Sequence, residues 1–234
     1  MRKVPFIVGQ FYHIYNRGVD KRDVFNDGQD AARFLESMKE FNVEEPIGSL
    51  YEIKYERKFG HPTFKKAKKK KLVNIVCYCI NPNHFHFILE EIIEGGISEF
   101  LKRLGGGYTK YFNERNKRSG SLFQGRFKSV HIDTNAYLLH VSAYVNLNNW
   151  VHRLGNTFFG RWTSKKRSSW GEYVGDNPHN PHSAESDSLC TKEIILGQFK
   201  NKREYEAFAK EAVGGIIERR YGEEVPGLDS LLLE

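Results

Sequence analysis

Two segments in the first half of the chain have the apolar patterning of strands. One spans residues 11–18 and ends in a glycine turn, and the other spans residues 72–80 and is expected to continue through residues 81–90. A shorter strand is expected at 129–132. Residues 49–56 fit either a further strand or part of a long loop, and the pattern leaves both readings open.

Apolar residues recur at helical spacing in three further segments, which predicts helices there. The segments are 27–42, 98–114 and 134–148. Thr134, or Asp133 before it, is a plausible cap for the third helix, while the glycines at 105–107 weaken the middle of the second. The order of strands and helices predicts an α+β sandwich, an antiparallel sheet with helices on one face.

The last third of the chain differs in composition from the rest. Residues 165–188 are rich in Gly, Pro, Ser and Asn, which is typical of a loop or linker. Apolar positions within 190–220 predict one or two further helices. We therefore expect a main domain at 1–160, a linker at 161–189 and a C-terminal helical extension at 190–234.

The charge of the chain favours a polyanionic partner. Its 234 residues carry a formal net charge of +7. Net charge informs about binding partners and not about the fold, and nucleic acid is the first candidate for the partner. No apolar run approaches the roughly 18 residues of a spanning helix, and the first residues lack the apolar segment of a signal peptide. A cytoplasmic protein without a membrane partner is expected. Three cysteines without a CxxC pair predict neither a disulfide framework nor a zinc knuckle.

Two histidines separated by one apolar residue, His84 and His86, are the most informative feature of the sequence. Side chains alternate faces along a strand, so both imidazoles point to one face, which is expected to be exposed, while Phe85 and Phe87 point into a core. Two neutral imidazoles side by side can bind one divalent metal ion and leave positions open for substrate. The spacing alone supports several kinds of metal site, and also a purely structural pair.

A row of polar residues follows one face of the third predicted helix. His140, Tyr144 and Asn148 lie four residues apart. Asn148 offers a hard oxygen ligand, and Tyr144 offers a phenolic nucleophile for a phosphodiester. Free tyrosine has a pKa of about 10, so it needs a divalent ion that polarises the phosphoryl oxygen. Two imidazoles, one amide oxygen and the phosphate suit Mg²⁺ or Mn²⁺.

Several segments together resemble the single-tyrosine transposases that carry an HUH motif, and most closely their REP-associated branch. The matching segments are CINPNHFH (79–86), YVNLN (144–148), YHIYNRG (12–18), GYTKYFN (107–113) and SLFQGRFK (121–128). The resemblance covers roughly residues 8–150, and a weaker similarity follows in RSSWGEY (167–173).

This resemblance implies a fold and a reaction. The family folds as a ferredoxin-like (RRM-like) domain and cuts single-stranded DNA, usually beside a hairpin. Its tyrosine forms a 5′-phosphotyrosine link and leaves a free 3′-OH, and a second strand then attacks the link, so that strands are rejoined without ATP. Carried over by motif, His84 and His86 become metal ligands and Tyr144 the nucleophile. Asn148 becomes the third metal ligand.

The chain departs from the family pattern at three positions. Asn146 stands where the family usually has histidine, and Asn149 where it usually has proline. These two bear on helix termination and substrate contacts rather than on the core chemistry. Asn81 replaces a usual apolar residue before Pro82, and we expect it to be tolerated in a turn.

Basic residues interleaved with aromatic ones predict contacts to nucleic acid, because cations bind phosphates and rings stack on bases. The residues assigned to DNA contact are Arg17, Lys117, Arg118, Arg126 and Lys128. His13 and Asn16 are candidates to support the tyrosine or to bind a phosphate. A lysine-rich run at 65–71 is either a further contact or a solvated loop tip.

We therefore predict a metal-dependent endonuclease and strand transferase that acts on single-stranded DNA with a hairpin, associates with the nucleoid and works as a monomer or a homodimer. Tyr108 and Tyr111 are the alternative nucleophiles. Two other functions remain open. One is a non-catalytic nucleic-acid-binding protein derived from a transposase, and the other is a metal-dependent RNA endonuclease or replication-initiation relative with the same site.

Overall fold

Apolar residues in four segments pair into one antiparallel sheet. The computed structural model describes residues 5–45, 48–59, 70–152, 167–175 and 188–222. Within them the strands are β1 (Phe11–Arg17), β2 (Val73–Asn81), β3 (His84–Glu91) and β4 (Lys128–Ile132). They lie in the order β2–β3–β1–β4, and every neighbouring pair is antiparallel.

In the described residues, helices follow β1, β3 and β4. Their bounds are α1 (Gly28–Phe41), α2 (Leu50–Phe59), α3 (Gly96–Arg115), α4 (Asn135–Asn146), α5 (Asn148–Val151), α6 (Trp170–Val174), α7 (Glu193–Leu196) and α8 (Lys202–Gly222). The chain order β1–α1–β2–β3–α3–β4, together with the strand order, is that of a ferredoxin-like sandwich. The predicted α+β class with an antiparallel sheet is confirmed.

Helices cover both faces of the sheet. α1 and α3 pack on one face, around Phe87 and Tyr108, while α4, α6 and α8 form a second core around Val145 and Tyr205 on the other. The prediction that helices lie on one face only is therefore wrong. β2 shows the reason, because it is buried at every position except the half-buried Asn74. A strand with two buried faces needs cover on both.

Local sequence sets the start of two helices. Asp27 caps α1 by accepting hydrogen bonds from the backbone N–H groups of Gln29 and Asp30. Thr134 caps α4 by accepting one from the N–H of Tyr137, which confirms the predicted cap. Each bond satisfies a backbone donor that has no partner within the first helical turn.

The three consecutive glycines lie inside α3 and do not interrupt it. Gly107 faces the ring of Phe41 in α1, and a Cβ at this position would lie 2.8 Å from that ring. Glycine therefore allows the two helices to approach closely, although it costs about 1 kcal/mol relative to alanine in a helix interior.

Two predictions for the first half of the chain are wrong. Residues 49–56, left open between a strand and a loop, lie almost entirely in α2. The strand that begins near residue 72 does not continue through the histidines, because the chain reverses at Pro82 and Asn83 and forms a β2–β3 hairpin. Periodicity alone does not show this reversal, since the strands on both sides of the turn are apolar.

The middle of the predicted linker packs against the sheet. The N–H of Ile80 donates a hydrogen bond to the carbonyl of Arg167 (2.7 Å), and the N–H of Ser169 donates one to the carbonyl of Tyr78 (2.9 Å). The segment 167–169 thus runs beside β2, and α6 follows it directly. A polar composition describes this segment poorly because its backbone and the hydroxyl of Ser169, which accepts from the N–H of Tyr78 at 2.9 Å, attach it to the sheet.

Other predictions for the chain have different outcomes. The helices expected within 190–220 are confirmed as α7 and α8. The domain boundaries near 160 and 190 stay predictions. Residues 65–69 of the lysine-rich run lie outside the described residues, as do residues 161–166 and 176–187 of the predicted linker. Among the described helices, none is long and apolar enough to cross a membrane.

Candidate active site

The sheet register places both histidines of the HFH sequence in adjacent rows of one face, as their spacing predicts. The first row consists of Asn81, His84 and Arg17, and the second of Cys79, His86, Tyr15 and Lys128. The expectation that this face is exposed is wrong. His84 is 3% exposed and His86 is 0% exposed, because α4 packs across β3, which carries both, and α5 packs on the neighbouring β2.

A neighbouring histidine from β1 holds the ring of His86. The Nε2 atom of His13 lies 2.9 Å from Nδ1 of His86, and the two rings stack with centroids 5.1 Å apart. Burial lowers the pKa of His86 to about 3, with a smaller electrostatic contribution from the nearby His152. The imidazole is therefore neutral at physiological pH, which is the form that binds a metal ion.

The protonation of His84 follows from its two hydrogen bonds. Nδ1 lies 2.6 Å from the side-chain oxygen of Asn83, which only accepts, so Nδ1 carries the proton and donates. Nε2 then presents a lone pair and accepts from Nδ2 of Asn81, 2.8 Å away. In this tautomer the lone pair of Nε2 can bind a metal ion.

The side chain of Asn148 places an oxygen close to Nε2 of His84. Its Oδ1 atom lies 3.3 Å from Nε2 of His84, so two lone-pair atoms face each other. Its Nδ2 atom is buried and has no hydrogen-bond partner among the described residues. α4 ends at Asn146, and Asn148 starts the separate helix α5. The predicted meeting of His84 and Asn148 thus occurs without the continuous helix that the spacing suggested.

Tyr144 lies directly against His86 and His13. Its ring meets that of His86 edge to face, with centroids 5.6 Å apart, and that of His13 in the same way at 6.0 Å. It is only 2% exposed. The structure therefore brings together all four predicted catalytic and metal-ligating residues within one chain: Tyr144, His84, His86 and Asn148.

One cavity reaches Tyr144 from the side opposite the sheet. It has a volume of about 540 Å³ and lies between α4 and α8. Its walls include Tyr137 and His140 from α4 and Phe208 and Arg219 from α8. His140, which shares the predicted row with Tyr144, packs near Phe208 instead of the histidine pair, with ring centroids 5.3 Å apart.

The two alternative tyrosines lie in the core on the other face of the sheet. The hydroxyl of Tyr108 donates to the carbonyl of Val24 at 2.6 Å, and burial raises the pKa of Tyr108 well above its usual value. The hydroxyl of Tyr111 donates to Asp30 at 3.1 Å, and burial and that carboxylate raise its pKa. Neither is placed to act with the histidines.

The five residues predicted to contact DNA do not form one surface. Arg17 and Lys128 lie on the face of the histidines. Arg118 is engaged within its own loop, where it donates to Asn113 and to the carbonyl of Ser121. The remaining two, Lys117 and Arg126, are exposed on the segment between α3 and β4. Arg126 and Asn16 line a cavity of about 980 Å³ on the opposite face of the sheet.

Sequence reasoning missed two aromatic neighbours of the site. The ring of His152 lies 4.9 Å from that of His84, and the ring of Tyr15 stacks on His86 at 5.8 Å. His152 follows Asn148 by four residues, so an extension of the row of polar residues would have found it. Among the described residues, no cluster of three or more His, Cys, Asp or Glu side chains is arranged to hold a metal ion. A cation here would thus depend on amide oxygens as well.

Comparisons with known proteins give one family match and one structural match. Residues 53–148 match the family described as "Transposase IS200 like", and this segment contains both histidines, the tyrosine and Asn148. Among solved structures, a REP-associated tyrosine transposase bound to a REP hairpin is 16% identical in sequence. That match covers 74% of this chain and 84% of the other, with a TM-score of 0.44. No curated protein matches the chain.

Proposed function

We propose that the chain cuts and rejoins single-stranded DNA through a covalent link to Tyr144, since residues 53–148 match the family of IS200-like transposases. The observation that carries this proposal is the contact between Tyr144 and His86 of the same chain. It puts a phenolic nucleophile beside the neutral imidazole of His86 on a buried sheet face.

The proposed first step is attack by the phenolic oxygen of Tyr144 on the phosphorus of the scissile phosphodiester. A bond forms between this oxygen and phosphorus, and the bond from phosphorus to the 3′ oxygen breaks. The proton lost by the phenol is balanced by the proton gained by the departing 3′ oxygen. One phosphoester replaces another, so a 3′-OH of a second strand can later displace Tyr144 and rejoin the DNA without ATP.

Three side chains fit a divalent cation at this site. His84 presents the lone pair of Nε2, Asn148 presents Oδ1 at 3.3 Å from it, and His86 is kept neutral by burial. When bound, Mg²⁺ or Mn²⁺ would polarise the phosphoryl oxygens and favour in-line attack. Nitrogen ligands together with hard oxygens suit either ion, and the two ions are alternatives in the proposal.

The proposed substrate is a single strand that carries a hairpin, which follows from the resemblance of the five sequence segments. Arg17 and Lys128 lie on the face of the histidines and are proposed to bind phosphates next to the scissile one, because such contacts fix the position of the strand.

The reaction is proposed to occur within one chain. Tyr144 already lies beside the histidines of its own polypeptide, so α4 does not need to be exchanged with a second subunit. A monomer would then be sufficient for cleavage.

Incubation with a hairpin-bearing oligonucleotide and Mg²⁺ or Mn²⁺ tests the proposal. The wild-type chain is expected to form a protein–DNA adduct that survives denaturing electrophoresis, and Tyr144→Phe to form none. Tyr137→Phe is the matched control, because Tyr137 lies in the same helix and lines the same cavity, and it should form the adduct. The double variant His84→Ala, His86→Ala should bind the DNA without cutting it. An adduct from Tyr144→Phe, or cleavage by the double variant, would contradict the proposal.

A further inference from the structure

We propose that Asn81 is a further ligand of the cation site, and that its N–H₂ group donates to the lone pairs of His84 and Asn148 when no ion is bound. This inference rests on the proposed function, since it concerns the same cation. It assigns a role to a residue that differs from the family pattern and that the sequence suggested only as a tolerated turn residue.

The side chain of Asn81 ends between the two inner ligands. Its Nδ2 atom lies 2.8 Å from Nε2 of His84 and 2.5 Å from Oδ1 of Asn148. Nε2 of His84 and Oδ1 of Asn148 are themselves 3.3 Å apart. All three residues are buried. The partly positive N–H₂ group thus faces both lone pairs, as a cation would.

The backbone around Asn81 keeps the side chain at this position. Asn81 is the last residue of β2 and pairs directly with His84 of β3. The turn that follows is held from outside, because the carbonyl of Pro82 accepts hydrogen bonds from the N–H groups of Val24 and Phe25, at 2.8 and 3.0 Å. The side chain can therefore rotate, but its Cα cannot move away from His84 without breaking these bonds.

Rotation of the amide group by half a turn would convert Asn81 from a donor into a ligand. The two ends of an asparagine amide have nearly the same shape, so Oδ1 would occupy the present place of Nδ2. The cost is small. Among the described residues, Oδ1 accepts a hydrogen bond only from the thiol of Cys79, at 3.7 Å, and a thiol is a weak donor and a weak acceptor in either orientation.

Together with His84, His86 and Asn148, Asn81 would complete a set of two imidazole nitrogens and two amide oxygens. Hard oxygen ligands favour Mg²⁺ and Mn²⁺ over softer metals, and the open positions would remain for water and the phosphate. An apolar residue in place of Asn81 would remove one oxygen from this set and would also leave His84 and Asn148 without their donor in the ion-free state.

Titration of the full chain with Mn²⁺ in the absence of DNA, followed by the electron paramagnetic resonance signal of free Mn²⁺, tests this assignment. Asn81→Leu is expected to weaken Mn²⁺ binding on the order of tenfold or more, as the loss of a metal-supporting side chain does. Asn81→Asp places a charged oxygen at the same point and should tighten binding by about tenfold, since ligand charge raises affinity for hard cations. Asn74→Leu is the matched control. It removes an amide from the same strand that donates to Glu90 instead, and it should bind Mn²⁺ as the wild type does.

Equal Mn²⁺ affinity of the wild type and Asn81→Leu would overturn this inference and leave the proposed function intact. If Asn81→Leu does not fold, as judged by circular dichroism, Asn81→Asp decides the question, and an affinity equal to that of the wild type would overturn the inference. If the wild type binds no Mn²⁺ but Tyr144 still forms an adduct with DNA, the cation site fails and this inference fails with it.

Discussion

The hydroxyl of Tyr205 accepts a hydrogen bond of 2.8 Å from the side-chain amide of Asn146, and this buried bond joins α8 to the helix that carries Tyr144. The hydroxyl of Ser169 donates to the oxygen of the same amide at 2.5 Å. Asn146 therefore ties α4 both to the C-terminal helix and to the segment beside β2. Its departure from the family pattern has a structural explanation, which is the attachment of the C-terminal region.

The Tyr205→Phe variant should be less stable than the wild type. It removes the acceptor of a buried amide and leaves that donor without a partner, which costs about 1–3 kcal/mol. Urea unfolding followed by circular dichroism measures the loss. Asn146→Ala alone and in the Tyr205→Phe background is the control. The stability loss of the double variant should be smaller than the sum of the two single losses, because the residues share one bond. Fully additive losses would show that the bond contributes nothing.

Acid sensitivity should depend on the ion pair at the start of α1. Hydrogen bonds from Arg115 lower the pKa of Asp27 to about 2, so this carboxylate adds stability above its ordinary pKa and the addition is lost as the pH falls from about 4 to about 2. Asp27→Asn keeps a capping side chain but removes the charge. Because Asp27 is 47% exposed, the effect should be below about 1 kcal/mol.

The free energy of unfolding of the wild type and of Asp27→Asn is measured between pH 5 and pH 2, in steps of about one pH unit. The difference between the wild type and Asp27→Asn should shrink as the pH falls. Carboxylates that do not contact Arg115 are unaffected by the substitution, so their contributions cancel in this difference. A difference that stays constant over the whole range would contradict the role of the pair.

Binding to single-stranded DNA should be most sensitive to the two cations on the face of the histidines. Arg17→Gln and Lys128→Gln should each reduce the slope of log K against log salt by about 0.7, the value expected for one phosphate contact to a single strand. Fluorescence anisotropy at several salt concentrations measures this slope. Lys210→Gln, at an exposed lysine already paired with Glu206, should leave it unchanged. Equal effects of all three would argue for nonspecific attraction by net charge.

Cleavage within one chain predicts a particular result when inactive variants are mixed. Tyr144→Phe retains the histidines, and the double variant His84→Ala, His86→Ala retains the tyrosine. If each chain uses its own Tyr144, as the contact with His86 suggests, the mixture should form no adduct at any protein concentration. Activity that appears on mixing would show that α4 is exchanged between subunits.

The sequence was sufficient for features that depend on local pattern. The common face of His84 and His86 follows from the two-residue period of a strand, and the start of α4 follows from the capping hydroxyl of Thr134. Both hold in the structure. The antiparallel α+β class follows from the order of the elements, and it also holds.

Features that depend on contacts between distant segments could not be predicted from the sequence. Nothing in the pattern around His84 shows that α4 and α5 cover it, or that Asn81 ends beside Asn148, 67 residues away along the chain. The segment 167–169 has the composition of a loop, yet its backbone bonds to β2. Burial and partnership of this kind arise from tertiary packing, which a local pattern does not encode.

The central claim is that Tyr144 forms the covalent bond to DNA. Digestion of the adduct with protease and nuclease, followed by fragmentation mass spectrometry, locates the modified residue most directly. The account predicts a nucleotide mass on Tyr144, with no modification of Tyr137 in the same helix or of Tyr108 and Tyr111 in the opposite core. A nucleotide mass on any of those three tyrosines, with Tyr144 unmodified, would contradict it.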